Sequence, residues 1–72
     1  MTLRDLFEQC VEIEGWVKVQ CWENENYPKI YYEGYHVQSI DQKYLDRDIK
    51  YIFPWKVTNN EAAICIELEE ER

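Results

Sequence analysis

The chain is expected to adopt an α+β fold: an N-terminal helix packed on a four-stranded, mainly antiparallel sheet, in the order α-β-β-short α-β-β. Three observations lead there. Apolar residues recur at helical spacing near the N-terminus and then switch to strict alternation. Four alternating runs fall into two pairs, each joined by a polar stretch. Each pair has one strongly apolar face, and the first segment is the one large element available to cover it.

The helix is expected over roughly residues 3–12. Thr2 with Asp5 three positions on resembles a capping box. Leu3, Leu6, Phe7, Cys10 and Val11 share one face, with Arg4, Asp5, Glu8, Gln9 and Glu12 turned outward. Gly15 ends the transition to the first strand. From Trp16 to Trp22, Val17, Val19 and Cys21 take one face, and Trp16, Lys18, Gln20 and Trp22 take the other. After the polar loop 23–28, Lys29 to His36 is extended again. A hairpin placing Cys21 opposite Ile30 also pairs Val19 with Tyr32, Val17 with Gly34 and Lys18 with Glu33, the last an opposite-charge match.

Residues 37–48 connect the two halves. Asp41 is placed to cap a single helical turn, Gln42 to Asp46, that buries Ile40, Tyr44 and Leu45 against the sheet. Ile49 to Val57 and Ala62 to Glu69 then form a second strand pair. Asparagine tolerates positive φ, so a two-residue turn at Asn59-Asn60 sets the register. Val57 faces Ala62, Trp55 faces Ile64, Phe53 faces Ile66 and Tyr51 faces Leu68, all toward the core. Pro54 lacks a ladder donor, which assigns its strand to an edge or a bulge.

Composition bounds the rest. Seventy-two residues are expected to form one domain, and one this small hides only about 60% of its unfolded surface. Three Trp, six Tyr and two Phe answer that problem. Each ring buries roughly 150–250 Å², about 4–6 kcal/mol before entropy is subtracted. The acidic N-terminal stretch does not resemble a signal peptide, and the longest apolar run, Ala62 to Ile66, is far below a membrane span. Cys10, Cys21 and Cys65 are odd in number and widely spaced. The expectation is a cytoplasmic protein with reduced thiols and no membrane association.

No catalytic constellation stands out. The one histidine, His36, is expected at the surface at a strand end; Ser39, three residues on, is not brought to its imidazole by that spacing alone. Nucleophile elbow, phosphate loop and zinc-hydrolase helix are all missing. Cys10, Cys21, Cys65 and His36 lack the close spacing of a zinc site and are better placed as small hydrophobes in the core and a surface residue. Asp41, Asp46 and Asp48 lack the Gly and terminal Glu of a calcium loop. The expectation is no enzyme, no metal and no cofactor.

The aromatics carry the functional reading. In the first hairpin's register, the face away from the helix holds Trp16, Trp22, Tyr31 and Tyr35, with nothing in the remaining sequence obviously covering them. Grouped exposed rings mark a contact surface, unless loops or long side chains shield them. A protein partner, including a second copy of the chain as a homodimer, fits that surface. Stacking on single-stranded nucleic acid would use such rings too, but only Lys18 and Lys29 accompany them, and the net charge of −7 repels phosphates. An acidic mimic of nucleic acid that blocks a host nuclease or defence enzyme is the alternative, although lysines interrupt the acidic stretches.

Tyr31-Tyr32-Glu33-Gly34 and the run from Tyr44 to Ile52 resemble small uncharacterised proteins encoded on phages and conjugative elements of low-GC Gram-positive bacteria. Those share a short helix, a strand ending in Tyr-Glu-Gly, a Leu-Asp-Arg-type turn and a closing hairpin. The resemblance spans nearly the whole chain; the high tryptophan content departs from it. It implies an accessory role in a mobile genetic element, with no activity or functional residue to carry over.

Overall fold

A computed structural model describes residues 1–9, 13–23, 26–56 and 62–70. One helix, α1 (Leu3–Gln9), precedes four strands, β1 (Trp16–Cys21), β2 (Lys29–Gly34), β3 (Ile49–Lys56) and β4 (Ala62–Leu68). Two 3-10 turns, Val37–Ser39 and Gln42–Tyr44, lie between β2 and β3. The class is α+β, as expected, and the sheet is mixed. Its order is β2-β1-β4-β3, because the two hairpins meet through their inner strands, β1 and β4, which run parallel.

The capping box at the start of α1 is closed in both directions. The Thr2 N–H donates to Asp5 Oδ2 at 3.0 Å, and the Asp5 N–H donates to Thr2 Oγ1 at 3.1 Å. Asp5 is held below the usual carboxylate range first by the Thr2 N–H and then by the Thr2 side chain. The expected continuation of the helix through residues 10–12 lies outside the described residues. Gly15, at φ +101°, makes the turn into β1 in a conformation that favours glycine.

Since β2 and β3 are opposite edges, the segment between them must cross the sheet. It does so on the α1 side, and it carries core residues of its own. Val37 and Ile40 are buried together with Leu3, Val17, Val19, Cys21, Ile66 and Leu68. The helix therefore shares the cover with this segment, which adds Val37 to the expected Ile40. The Asp41 cap forms as expected, its carboxylate accepting from the Lys43 N–H at 3.1 Å, and Tyr44 and Leu45 pack on the core. Backbone hydrogen bonds tie α1 to this crossing: the Leu3 N–H to Arg47 O at 3.2 Å and the Arg4 N–H to Leu45 O at 2.8 Å.

The first hairpin keeps its expected register at Val17–Gly34, Lys18–Glu33 and Val19–Tyr32, then departs from it. A bulge puts Gln20 opposite Ile30 and Cys21 opposite Lys29, instead of Cys21 opposite Ile30. Tyr31 is the extra residue. Its ring is drawn to the helix side, where it stacks on Tyr44 at 4.4 Å with an interplanar angle of 19°. Gly34 lies under Tyr32: a Cβ there would stand 2.9 Å from the Tyr32 hydroxyl.

The second hairpin is offset by one residue from the register that a two-residue turn implies. Trp55 faces Ala63, Pro54 faces Ile64, Phe53 faces Cys65 and Ile52 faces Ile66. Phe53 and Trp55 were expected on the core side and stand on the opposite one. The proposed turn at Asn59-Asn60 lies outside the described residues. The offset goes with how far the cover on the core side reaches. In β4, Ile64, Ile66 and Leu68 share the side of Val17 and Val19 through the parallel pairing, and that side is covered by a seven-residue helix and a thin crossing segment. That cover stops short of β3, where Ile52 and Ile64 are 47% and 38% exposed, so two large rings placed there would face solvent. Opposite the small Ala63 and Cys65 they fit. A second irregularity, at Lys50, returns Ile49 to the core side opposite Leu68. Pro54 sits on an edge strand, as its missing donor requires.

Candidate functional site

The sheet face turned away from α1 is built by alternation. On β1 it takes Trp16, Lys18 and Gln20, with Trp22 just beyond; on β4, Ala63, Cys65 and Glu67; on β3, Tyr51, Phe53 and Trp55. From the β2 side come Ile30, Glu33 and Tyr35. No described element crosses this face.

Three of the four expected contact residues, Trp16, Trp22 and Tyr35, lie on this face. Trp16 and Tyr35 meet edge to face, ring centroids 4.9 Å apart at 83°. Trp22 is 43% exposed. Tyr31 does not join them, because the bulge carries it to the other side. There its hydroxyl donates to the Glu23 carboxylate and accepts from Arg47 Nη1 at 3.2 Å. Burial, aided by the hydrogen bond to Glu23, pushes the Tyr31 phenol up to about 12. Tyr31 is thus part of a polar clasp that also includes Arg47 Nη2 donating to Glu69 O at 2.7 Å.

The residues that alternation from the expected turn missed are Tyr51, Phe53 and Trp55. One signal could have found them: β4 reads small at Ala63 and Cys65 and large at Ile64, Ile66 and Leu68, so big β3 rings belong opposite the small pair. Tyr51 and Phe53 lie 5.5 Å apart. Lys18 Nζ stands 4.2 Å over the Trp55 ring, a cation–π contact that holds the ammonium on the face. Trp22, Pro28, Phe53 and Trp55 line an open pocket of about 270 Å³, with Cys65 also in its lining.

Beneath the rings the face is closed by a buried carboxylate. Glu67 is 2% exposed. Its Oε1 accepts from Gln20 Nε2 at 2.9 Å and its Oε2 from the Trp22 N–H at 3.0 Å. Two donors satisfy a group that would be costly to bury bare, and together they lock the end of β1 to β4. Burial pushes the Cys65 thiol up to about 11, partly offset by Lys18, so it stays protonated at neutral pH. Cys21 is likewise raised by burial, against the opposing influence of Arg47, whose Nη2 lies 3.6 Å from its sulfur. Cys10 lies outside the described residues. His36 is exposed at the end of β2, and its backbone N–H donates to the Tyr32 hydroxyl at 2.8 Å.

Chemically the face offers apolar and π contact, the Lys18 ammonium and the exposed Glu33 carboxylate. The Trp16 indole N–H is buried and has no hydrogen-bond partner among the described residues. Also among the described residues, no three His, Cys, Asp or Glu side chains converge to hold a metal ion, and no helix is long and apolar enough to cross a membrane. Compared with known proteins, the chain matches no protein-family model, no curated protein and no solved structure.

Proposed function

We propose that this chain is a non-enzymatic protein-binding module whose contact surface is the sheet face opposite α1. One observation supports this above the others: the one-residue offset of β3 adds Tyr51, Phe53 and Trp55 to Trp16, Trp22 and Tyr35 on a face that no described element covers. Aromatic residues with little charge at the centre of a patch are the composition of an interface core. On this face the charges are few. Lys18 lies over the Trp55 ring, Glu33 stands opposite it in the strand ladder, and Glu67 is taken up by internal donors. The accessory role in a mobile genetic element implied by the sequence resemblance is part of this proposal.

A photo-crosslinking amino acid at position 51 tests it against the same group at position 52. Tyr51 and Ile52 are each 47% exposed, on opposite faces of one strand. In expressing cells, adducts form from position 51 and not from position 52. Equal adducts from both, or adducts from position 52 alone, contradict the proposal.

The acidic-mimic alternative rests on a different surface. Asp5 and Glu8 of α1, with Asp41, Asp46 and Asp48 of the crossing segment, are exposed in a chain of net charge −7. Binding through them would weaken steeply with salt and would be indifferent to loss of Trp22.

A further inference from the structure

Short side chains in the middle of the sheet leave a trough between long ones. Lys18 of β1 and Phe53 of β3 both stand opposite the small Cys65 of β4, and Trp55 stands opposite Ala63. Cys65 and Gln20, both buried, form the floor of the resulting pocket of about 270 Å³, and Trp22, Pro28, Phe53 and Trp55 rise around it. We infer that this trough is a binding site for a small aromatic carboxylate, a planar molecule of one or two rings carrying a single negative charge. The inference goes beyond the protein-binding reading, since it concerns a concavity within one chain and not what lies over the sheet face as a whole.

Size and walls set the body of the ligand. Pockets for drug-sized molecules run to about 300–1,000 Å³, so this smaller one suits a single ring or a fused pair. Trp22, Phe53 and Trp55 offer ring faces and edges to such a group. The Trp22 wall stands in place beforehand, because its backbone N–H donates to the buried Glu67 at 3.0 Å. A wall already ordered lowers the cost of binding.

Charge sets the sign of the ligand. The chain has fifteen acidic residues against eight basic ones, yet among the described residues the trough is lined by none of the acids and by Lys18. Glu67 lies beside the floor with both oxygens engaged by Gln20 and Trp22. Glu33 stands on β2, on the side of Lys18 away from β4. The ammonium turns the other way: Nζ reaches across β4 to lie 4.2 Å over the Trp55 ring. The same charge acts on the Cys65 thiol in the floor, opposing the upward push of burial. An ammonium at the rim of an apolar trough matches one carboxylate. A quaternary ammonium, which the rings alone would favour, is repelled by it. A nucleic-acid strand carries its further charges onto a chain of net charge −7.

The experiment titrates the intact chain with 3-phenylpropionate, 3-phenylpropionamide and 3-phenylpropylammonium, read by two-dimensional NMR of backbone and indole N–H groups. The acid is expected to bind saturably in the low-millimolar range or tighter, shifting Trp22 and Trp55 and sparing Ile52 on the other face. The amide binds on the order of fivefold more weakly, and the ammonium probe more weakly than the amide. Lys18→Met keeps the apolar stem and removes the charge, so acid and amide converge in affinity. Trp22→Ala weakens both by about two- to tenfold, with circular dichroism as the check on folding. If either variant fails to fold, the three probes on the wild type decide alone. Shifts of the acid that do not saturate below about 50 mM, shifts centred on the α1 side, a cationic probe that binds as well as the acid, or an acid preference that survives Lys18→Met each overturn the inference. The crosslink expected from position 51 involves a residue outside the trough lining, so failure of the carboxylate site and failure of the protein-binding face are read separately.

Discussion

Phe53 opposite Cys65 is the pairing on which the candidate face depends, and a disulfide can read it directly. In a background with Cys10 and Cys21 changed to alanine, Phe53→Cys places a thiol directly across the β3–β4 ladder from Cys65. Directly opposed residues in an antiparallel pair have Cα atoms about 4.5–5.5 Å apart, inside the 4.4–6.8 Å window of disulfides. The bridge closes thirteen residues, 53 to 65, and a loop of that length stabilises by about 3 kcal/mol. Comparing the oxidised and reduced forms of the same variant cancels the lost ring. At roughly 4–8 °C per kcal/mol for a domain of this size, oxidation is expected to raise Tm by about 12–24 °C. The assays are a 2 Da mass loss, a non-reducing peptide map linking positions 53 and 65, and calorimetry with and without reductant. The control is Pro54→Cys in the same background. A two-residue turn would set that residue opposite Cys65, whereas here it faces Ile64 and the other side of the sheet. If Pro54→Cys oxidises cleanly and Phe53→Cys does not, the register is the turn-derived one, Phe53 and Trp55 return to the core, and the proposed face loses its second half.

Further expectations follow from the same packing. Ile66→Ala, at a fully buried position, is expected to cost about 2–5 kcal/mol, while Ile64→Ala, two residues away and 38% exposed, costs roughly 1 kcal/mol or less; urea titrations compare them, and equal losses would refute the assigned depths. Thr2→Ala opens the capping box and is expected to cost about 1 kcal/mol. Because the folded Asp5 carboxyl titrates below its usual range, its contribution is present above the unfolded carboxylate pKa and is lost as pH falls through the depressed folded value. The wild type should therefore lose more stability than Asp5→Asn, which cannot titrate, on acidification below about pH 4, and parallel acid curves would argue against the cap. At the other extreme, Cys65 and Tyr31 are raised in the fold, to about 11 and about 12. Their contribution is present below the unfolded values and lost as pH rises through the folded ones. Stability is expected to fall between about pH 9 and 12, and Cys65 to resist iodoacetamide at pH 8 until the chain unfolds.

Local chemistry was enough to establish the elements. The Thr2–Asp5 cap, the alternation of Val17, Val19 and Cys21, the Asp41-capped turn and the edge position of Pro54 are all consequences of a few neighbouring residues. So was half of the candidate face: Trp16, Trp22 and Tyr35 lie on one strand pair whose register begins at Val17–Gly34. Local chemistry could not establish which side of the sheet the remaining rings take. Tyr31 is turned away by a bulge that its contacts with Tyr44 and Arg47 stabilise, sixteen residues along the chain in the case of Arg47. Phe53 and Trp55 are turned toward the face while β4 is committed to its parallel partner β1, and the cover over the core side leaves Ile52 and Ile64 beside β3 partly exposed. Strand alternation has a period of two, so one residue of bulge or offset reverses a side chain's side at almost no local cost. That choice was made by coverage and by pairing between distant segments, which no short stretch of the chain contains.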